Sequence, residues 1–290
     1  MQSYFEGLYF KQQNKGETVA LIPALHIDSR GTKSASIQII TNQEAYNLPC
    51  SGRDIALNRR KNQVVVGKNR FSPSGIALDV DTPQVKAHGT LCFEGITPLS
   101  YDIMGPFAMV PFMECRHKVV SVRHRVEGEL IVNNRRYAFH DGIGYIEGDR
   151  GHSFPSQYLW TQCASQTPSC SVMLSVAEIP MLVGRFTGVI GVVKMGNREY
   201  RLATYLGATV QVDNQMAVVR QGRYTLTAQL LQACDHKLRA PVGGEMTRLI
   251  RESAACLAHY RFTRGDEVLL DFVSDQAGFE YEYDREKVVP

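Results

Sequence analysis

The chain has 290 residues, 44% of them hydrophobic and 21% charged, a globular composition that excludes extended disorder. Thirty-two Lys and Arg against 29 Asp and Glu leave a formal charge of +3, too small to mark nucleic acid or an anionic membrane as the partner. No stretch approaches the roughly 20 apolar residues of a spanning helix, so no integral membrane segment is expected, and the length favours two domains.

The dominant period along the chain is two, the signature of strands with one apolar face. The first ten residues lack a basic start followed by an apolar run, so no secretory signal is expected. YFEGLYFK at 4–11 reads as an opening strand with Glu6 and Tyr9 on opposite faces. His26 and Asp28 share a strand face and read as a strand-end pair before they read as metal ligands. Ile76, Leu78 and Val80 alternate with Ala77, Asp79 and Asp81. GPFAMVPFMEC at 105–115 is apolar and suits either a pliable cavity wall or an ordinary core. The basic runs Arg116-His117-Lys118 and Arg123-His124-Arg125 admit an anion grip but read first as a solvated strand pair. Asn133-Asn134, between GELIV and RRYAF, predicts a two-residue hairpin turn. His140-Asp141-Gly142 reads as the turn that closes this hairpin, and the domain boundary is placed there: one unit at 1–142, a second at 143–290.

Beyond the boundary, an extended 145–149 sets Tyr145, Glu147 and Asp149 on one face, and Trp160 and Gln162 share another. Gly196-Asn197 and Asp213-Asn214 mark further turns, and Tyr224, Leu226, Ala228 and Leu230 alternate with polar neighbours. At 245–257, Met246, Leu249, Ile250, Ala254 and Leu257 fall on one helical stripe, predicting a short helix that passes into a strand, with Glu245, Arg248 and Glu252 paired along it. Phe279, Tyr281 and Tyr283 alternate with Glu280, Glu282 and Asp284, the acids being assigned to the wet face. The fold class is all-β. Seven cysteines, odd in number and without a CxxC pair, point to a reduced, cytoplasmic protein. Phosphate-loop, GxSxG and HExxH motifs are absent and the eight histidines are scattered, so no metal is expected.

Three stretches are too particular for generic β-protein: YFEGLYFK at 4–11, GPFAMVPFMECRH at 105–117 and GYIEGDRGHSFPSQYLWTQC at 144–163. Together with FTGVIGVV at 186–193, EYRLATYLGA at 199–208 and APVGGEMTRLIRES at 240–253, in that order, they resemble the tocopherol cyclase family over nearly the whole chain. Leu8 and Arg150 stand where that family has Trp, and the His-containing acidic motif of the related carotenoid hydratases is replaced by Glu147-Gly148-Asp149-Arg150. The resemblance implies two consecutive lipocalin- or calycin-like antiparallel barrels or sandwiches, with a hydrophobic small molecule held in or between them. It also implies cofactor-independent, acid-catalysed cyclisation, or a related hydration or isomerisation. Such chemistry needs a carboxyl kept protonated by an apolar pocket, with aromatic faces beside the developing cation. Glu147 and Asp149, with Tyr145 as relay, are the catalytic candidates; Glu6, Tyr9, Arg150, Trp160 and Gln162 are candidate substrate contacts. Glu147, Asp149 and Arg150 equally admit a salt-bridged turn. A non-catalytic lipocalin-like carrier is the alternative function, and exposed sheet edges admit a homodimer.

Overall fold

A computed structural model describes residues 3–110, 113–180, 184–233, 236–242 and 245–283, with backbone alone at 180, 236–242 and 245–253. The first sheet takes β1 (Tyr4–Asn14), β2 (Glu17–Ile27), β3 (Lys33–Thr41), β4 (Ala45–Ser51), β5 (Ile55–Asn58), β6 (Gln63–Val66), β7 (Asn69–Ser72), β8 (Gly75–Asp81), β9 (Lys86–Glu94), β10 (Cys115–Val132) and β11 (Arg135–Gly151). Their spatial order is β4-β3-β2-β1-β11-β10-β9-β8-β7-β6-β5. The second takes β12 (Tyr158–Ser165), β13 (Cys170–Pro180), β14 (Arg185–Met195), β15 (Arg198–Ala203), β16 (Thr209–Asp213), β17 (Met216–Gln221), β18 (Tyr224–Gln232), β19 (His236–Val242), β20 (Glu245–Arg264) and β21 (Glu267–Tyr281). Here the order is β15-β14-β13-β12-β21-β20-β18-β17-β16, with β19 on β20. All pairings are antiparallel, and the two sheets curl into two nearly closed barrels, the architecture of two lipocalin-like units.

Two expectations need correction. Residues 245–257 are not helical: they are the first part of β20, which pairs with β19 from His236↔Glu252 to Ala240↔Arg248 and, after a register shift, at Val242↔Glu245. The 3.6-residue stripe there is overridden by a ladder of backbone pairing on a strand held by three neighbours. Nor does the chain change sheets at 142, which lies inside β11; the crossing falls between Gly151 and Tyr158. Asp141, at φ 55°, bends β11 without reversing it, and Glu127 Oε1 accepts its backbone N–H at 2.9 Å. The Asn133-Asn134 hairpin turn stands as expected, both residues having positive φ, whereas the turn after β16 uses Asn214 and Gln215.

Three apolar cores result. Phe10, Leu21, Phe71 and Ile146 lie in the first barrel; Leu159, Leu174, Tyr260 and Phe279 lie in the second. Between the barrels sits a third, including Tyr9, Val119, Tyr145, Tyr158, Trp160 and Ile190. A strand facing this third core is therefore buried on both sides, so its outer-face residues leave water too. Polar ties cross the seam: buried Lys11 donates from Nζ to Gln162 Oε1 at 3.2 Å and to the Gln276 carbonyl at 2.6 Å. Gln13 Nε2 donates to the Ala164 carbonyl at 2.8 Å.

Candidate functional site

A cavity of about 110 Å³ opens in the seam, walled by both barrels and by the segment joining β9 to β10. Met104, Phe107, Phe154, Ile179 and Ile190 make it apolar, and the polar groups reaching it are chiefly acidic. Sheet register explains the cluster on the first barrel. On adjacent strands, Gly7, Asp149 and His117 lie side by side, and Tyr9, Glu147 and Val119 form the next row on that face. His117 Nδ1 contacts Asp149 Oδ1 at 2.8 Å as a direct cross-strand pair, and Cys115 Sγ donates to the same oxygen at 3.5 Å. Glu147 is the diagonal neighbour of His117. Its Oε2 accepts the Tyr145 hydroxyl at 2.5 Å and the Trp160 indole N–H at 3.2 Å. His117 Nε2 also comes within 3.1 Å of Oε2. That approach is not aligned as an N–H···O bond, so it is an ionic contact that leaves Nε2 without a directed partner.

Burial disfavours charge on every one of these groups, and their neighbours decide the outcome. Burial raises the Glu147 carboxyl above its ordinary value; His117 opposes the rise, and Asp149 adds to it. Burial works against the charged His117 ring, but the carboxylates of Asp149 and Glu147 outweigh it and hold the imidazole well above its ordinary value. Two other buried histidines show the effect of burial alone: His26 falls to about 4 and His124 to about 3. The Tyr145 phenol is pushed well up, by burial first and then by Glu147. The site thus has a cationic imidazole clamped by two acids, one of them in an apolar hollow. Among the described residues, His117, Glu147 and Asp149 are the group whose ligand atoms, all within 4.8 Å of one another, could approach a metal. In the structure these three side chains form an ion-pair network, with Asp149 Oδ1 on His117 Nδ1 at 2.8 Å.

The second barrel supplies the facing wall. Trp160 pairs with Glu280 across β12 and β21, and the Tyr158 hydroxyl donates to Glu280 Oε2 at 2.5 Å. Gly278 makes room for the indole, since a Cβ there would lie 2.9 Å from Trp160 Cζ3. Tyr9 backs the indole edge-on, with ring centroids 5.5 Å apart.

Of the residues singled out from sequence, Glu147, Asp149 and Trp160 line the cavity, and Tyr145 reaches it through Glu147. Tyr9 stands behind Trp160. Gln162 faces the buried Lys11, outside the lining. Glu6 and exposed Arg150 lie in a neighbouring polar groove of about 220 Å³ that shares His117, Asp149 and Met104 with the cavity. Glu6 is bound there by Arg59, with Nη2 2.6 Å from Oε2 and Nε 2.7 Å from Oε1. His26 meets Ser36 Oγ at 3.0 Å, while Asp28 closes its own loop by accepting from the backbone of Arg30 and Thr32, so the two do not converge. Two members were missed. His117 was hidden in a run read as solvated, though its alternation with Arg116 and Lys118 placed it on the opposite face. Glu280 was assigned to a wet face that is covered by the other barrel.

No protein-family model matches the sequence, and no curated protein does. The fold matches a kievitone hydratase from Nectria haematococca with a TM-score of 0.56, at 11% identity, over 97% of this chain and 89% of that one. It also matches a protein of Nitrosomonas europaea described as an AttH candidate, with a TM-score of 0.55, at 8% identity, over 98% of this chain and 93% of that one. At these identities the likeness carries the fold, and over both barrels the chain is built like these two proteins.

Proposed function

We propose that this protein is a cofactor-independent acid–base catalyst that adds an oxygen, from water or from the substrate's own hydroxyl, across a carbon–carbon double bond of an apolar small molecule. The observation that carries the reading is the Glu147 carboxyl, buried in an apolar cavity, raised by that burial and held by Tyr145 and Trp160. A carboxyl so placed can exchange a proton with an alkene, which bulk water at neutral pH does very slowly. Protonation of a trisubstituted alkene gives a tertiary cation, and the Trp160 face and the acid cluster offer it negative potential in place of hydration. The oxygen then bonds to the cation and loses its proton to a carboxylate. His117 and Asp149 hold Glu147 in place and set its proton affinity.

The resemblance to tocopherol cyclases supports a prenylated phenol as substrate and ring closure as the outcome; the name of the kievitone hydratase neighbour supports hydration. The mechanism differs only in which oxygen attacks. A cytoplasmic setting agrees with the six described cysteines, all free thiols. The test is incubation of the protein with a panel of geranylated and prenylated phenols, read by mass spectrometry. Hydration adds the mass of water, and cyclisation gives an isomer. Conversion that Glu147→Gln abolishes is the expected result. A lipid-like molecule that co-purifies and is returned unchanged, with no conversion of any member, would make the protein a carrier.

A further inference from the structure

Addition of O–H across a double bond needs two proton transfers: one to carbon, one away from oxygen. A single carboxyl must perform both in succession, whereas two carboxyls on opposite walls can divide them. The cavity has that arrangement. Glu147 lies on β11 of the first barrel, and Glu280 lies on β21 of the second, both nearly fully buried and both lining the same hollow. Each accepts a tyrosine hydroxyl at 2.5 Å, from Tyr145 and Tyr158 respectively. Their other neighbours differ. Glu147 has the His117 ring at 3.1 Å, a cationic contact that favours its ionised form. The charged groups acting on Glu280 are the carboxylates of Glu147, Asp149 and Glu282, which favour its neutral form, and Glu178 and Glu114 on the cavity wall have the same sign. The cationic His117 is engaged by Asp149 and Glu147.

We infer that Glu280, backed by Tyr158, is the proton donor of the cavity and that Glu147, backed by His117 and Asp149, takes up the proton released by the attacking oxygen. This rests on the reading of the cavity as a site of O–H addition to an alkene. The Glu280 carboxylic acid gives its proton to the less substituted alkene carbon, and the π pair forms the C–H bond. The tertiary cation accepts an oxygen lone pair to form the C–O bond, and the O–H proton passes to the Glu147 carboxylate. Glu280 ends ionised and Glu147 protonated, and exchange with solvent restores both. No electron is gained or lost. The protonation state of Glu280 agrees with its environment: burial, followed by the nearby carboxylates and opposed by the Tyr158 hydrogen bond, pushes it up to about 8, so the acid form prevails at neutral pH.

The experiment uses the full chain, geranyl hydroquinone as probe, and glutamate labelled with ¹³C at the side-chain carboxyl. The resonance missing from Glu280→Gln should titrate near 8, and kcat should decline on the alkaline side with the same midpoint. Glu280→Gln should lower kcat by about 100-fold and remove that alkaline limb. Glu147→Gln should lower kcat comparably while keeping the alkaline limb and losing the acid one. Tyr158→Phe, which loses a hydrogen bond that favours the ionised carboxyl, should move the alkaline limb upward. A Glu280 resonance titrating in the ordinary carboxyl range, or a Glu280→Gln variant that keeps both rate and limb while Glu147→Gln is inactive, overturns the division of labour and leaves the cavity reading standing. Wild-type turnover in both variants, or no turnover of the probe by the wild type, overturns that reading and this inference with it. Should Glu280→Gln fail to fold, the titration and the Tyr158→Phe shift decide the matter.

Discussion

Glu6 and Glu147 lie on adjacent strands of the same barrel, are 8% and 4% exposed, and each accepts a tyrosine hydroxyl, yet their carboxyls are driven in opposite directions. Burial pushes both up. At Glu6 the Arg59 guanidinium grips both oxygens, and its contribution, with that of Tyr4, carries the carboxyl below its ordinary value. At Glu147 the only cation in contact among the described residues is His117, which Asp149 already engages, and burial prevails. Arg59 can do this because its side chain is 59% exposed and remains hydrated while it pairs. A carboxyl in this barrel holds its proton more tightly where no such wet cation can reach it. That, more than depth of burial, separates the cavity from the polar groove beside it.

The largest effect that can break this comparison is on turnover. Glu147→Gln, nearly isosteric and still able to meet Tyr145 and Trp160, should cost at least about 100-fold in kcat on a prenylated phenol while the far-ultraviolet circular dichroism stays native. Retention of activity would make the cavity acid a structural group. Stability against pH gives the next contrast. Glu6 has a folded value below its unfolded one, so it stabilises the fold above the unfolded value of about 4.5 and ceases to do so as pH falls through the folded value. Glu147 has a folded value above its unfolded one, so its cost is nil below about 4.5 and grows as pH rises from there. Thermal melts between pH 4 and 8 should therefore show Glu6→Gln losing ground on the wild type as pH rises, and Glu147→Gln gaining it. Parallel curves would mean that the two environments do not differ as described.

The cavity was half legible in the sequence. The period of two placed Tyr145, Glu147 and Asp149 on one strand face, and Trp160 with Gln162 on another, because alternation is a property of the strand itself. What alternation cannot say is what covers the outer face. Glu280 and His117 sit on faces that a lone barrel would give to water, and only the second barrel, packed across the seam, encloses them. The same limit explains β20: its stripe of apolar residues suits a helix taken alone, and the pairing that makes it a strand comes from β18, β19 and β21. Glu6 was legible as an acid in an opening strand; its neutralisation by Arg59 was not, for the two are 53 positions apart.

Removing the cation from the groove should make Glu6 behave more like Glu147. In Arg59→Met, burial remains and the opposing guanidinium is gone, so the Glu6 carboxyl should move from below its ordinary value to above it, as read by ¹³C titration. The stability loss near neutral pH should be about 1–2 kcal/mol, between that of an exposed pair and a fully buried one. A Glu6 carboxyl that stays low would assign its shift to Tyr4 or to Arg150.

The finest adjustment acts on the cavity wall through a residue that touches no acid. Trp160 is the single tryptophan of the chain, 6% exposed, and its indole N–H reaches Glu147 while its six-membered ring lies over Gly278. In Gly278→Ala the new methyl would sit 2.9 Å from Cζ3 and 3.1 Å from Cη2, closer than carbon atoms pack, so the ring has to tilt away from β21 toward the cavity. Because one fluorophore reports the whole protein, the tilt should appear directly as a red-shifted emission. Overpacking of this kind should cost about 1 kcal/mol in stability. A tilt that takes the indole N–H out of line with Glu147 should raise the carboxyl further and weaken the wall beside the cation, lowering turnover several-fold without abolishing it. An unchanged emission spectrum together with unchanged turnover would show that the indole is free to move, and that the wall facing Glu147 is held by something other than the β12–β21 register.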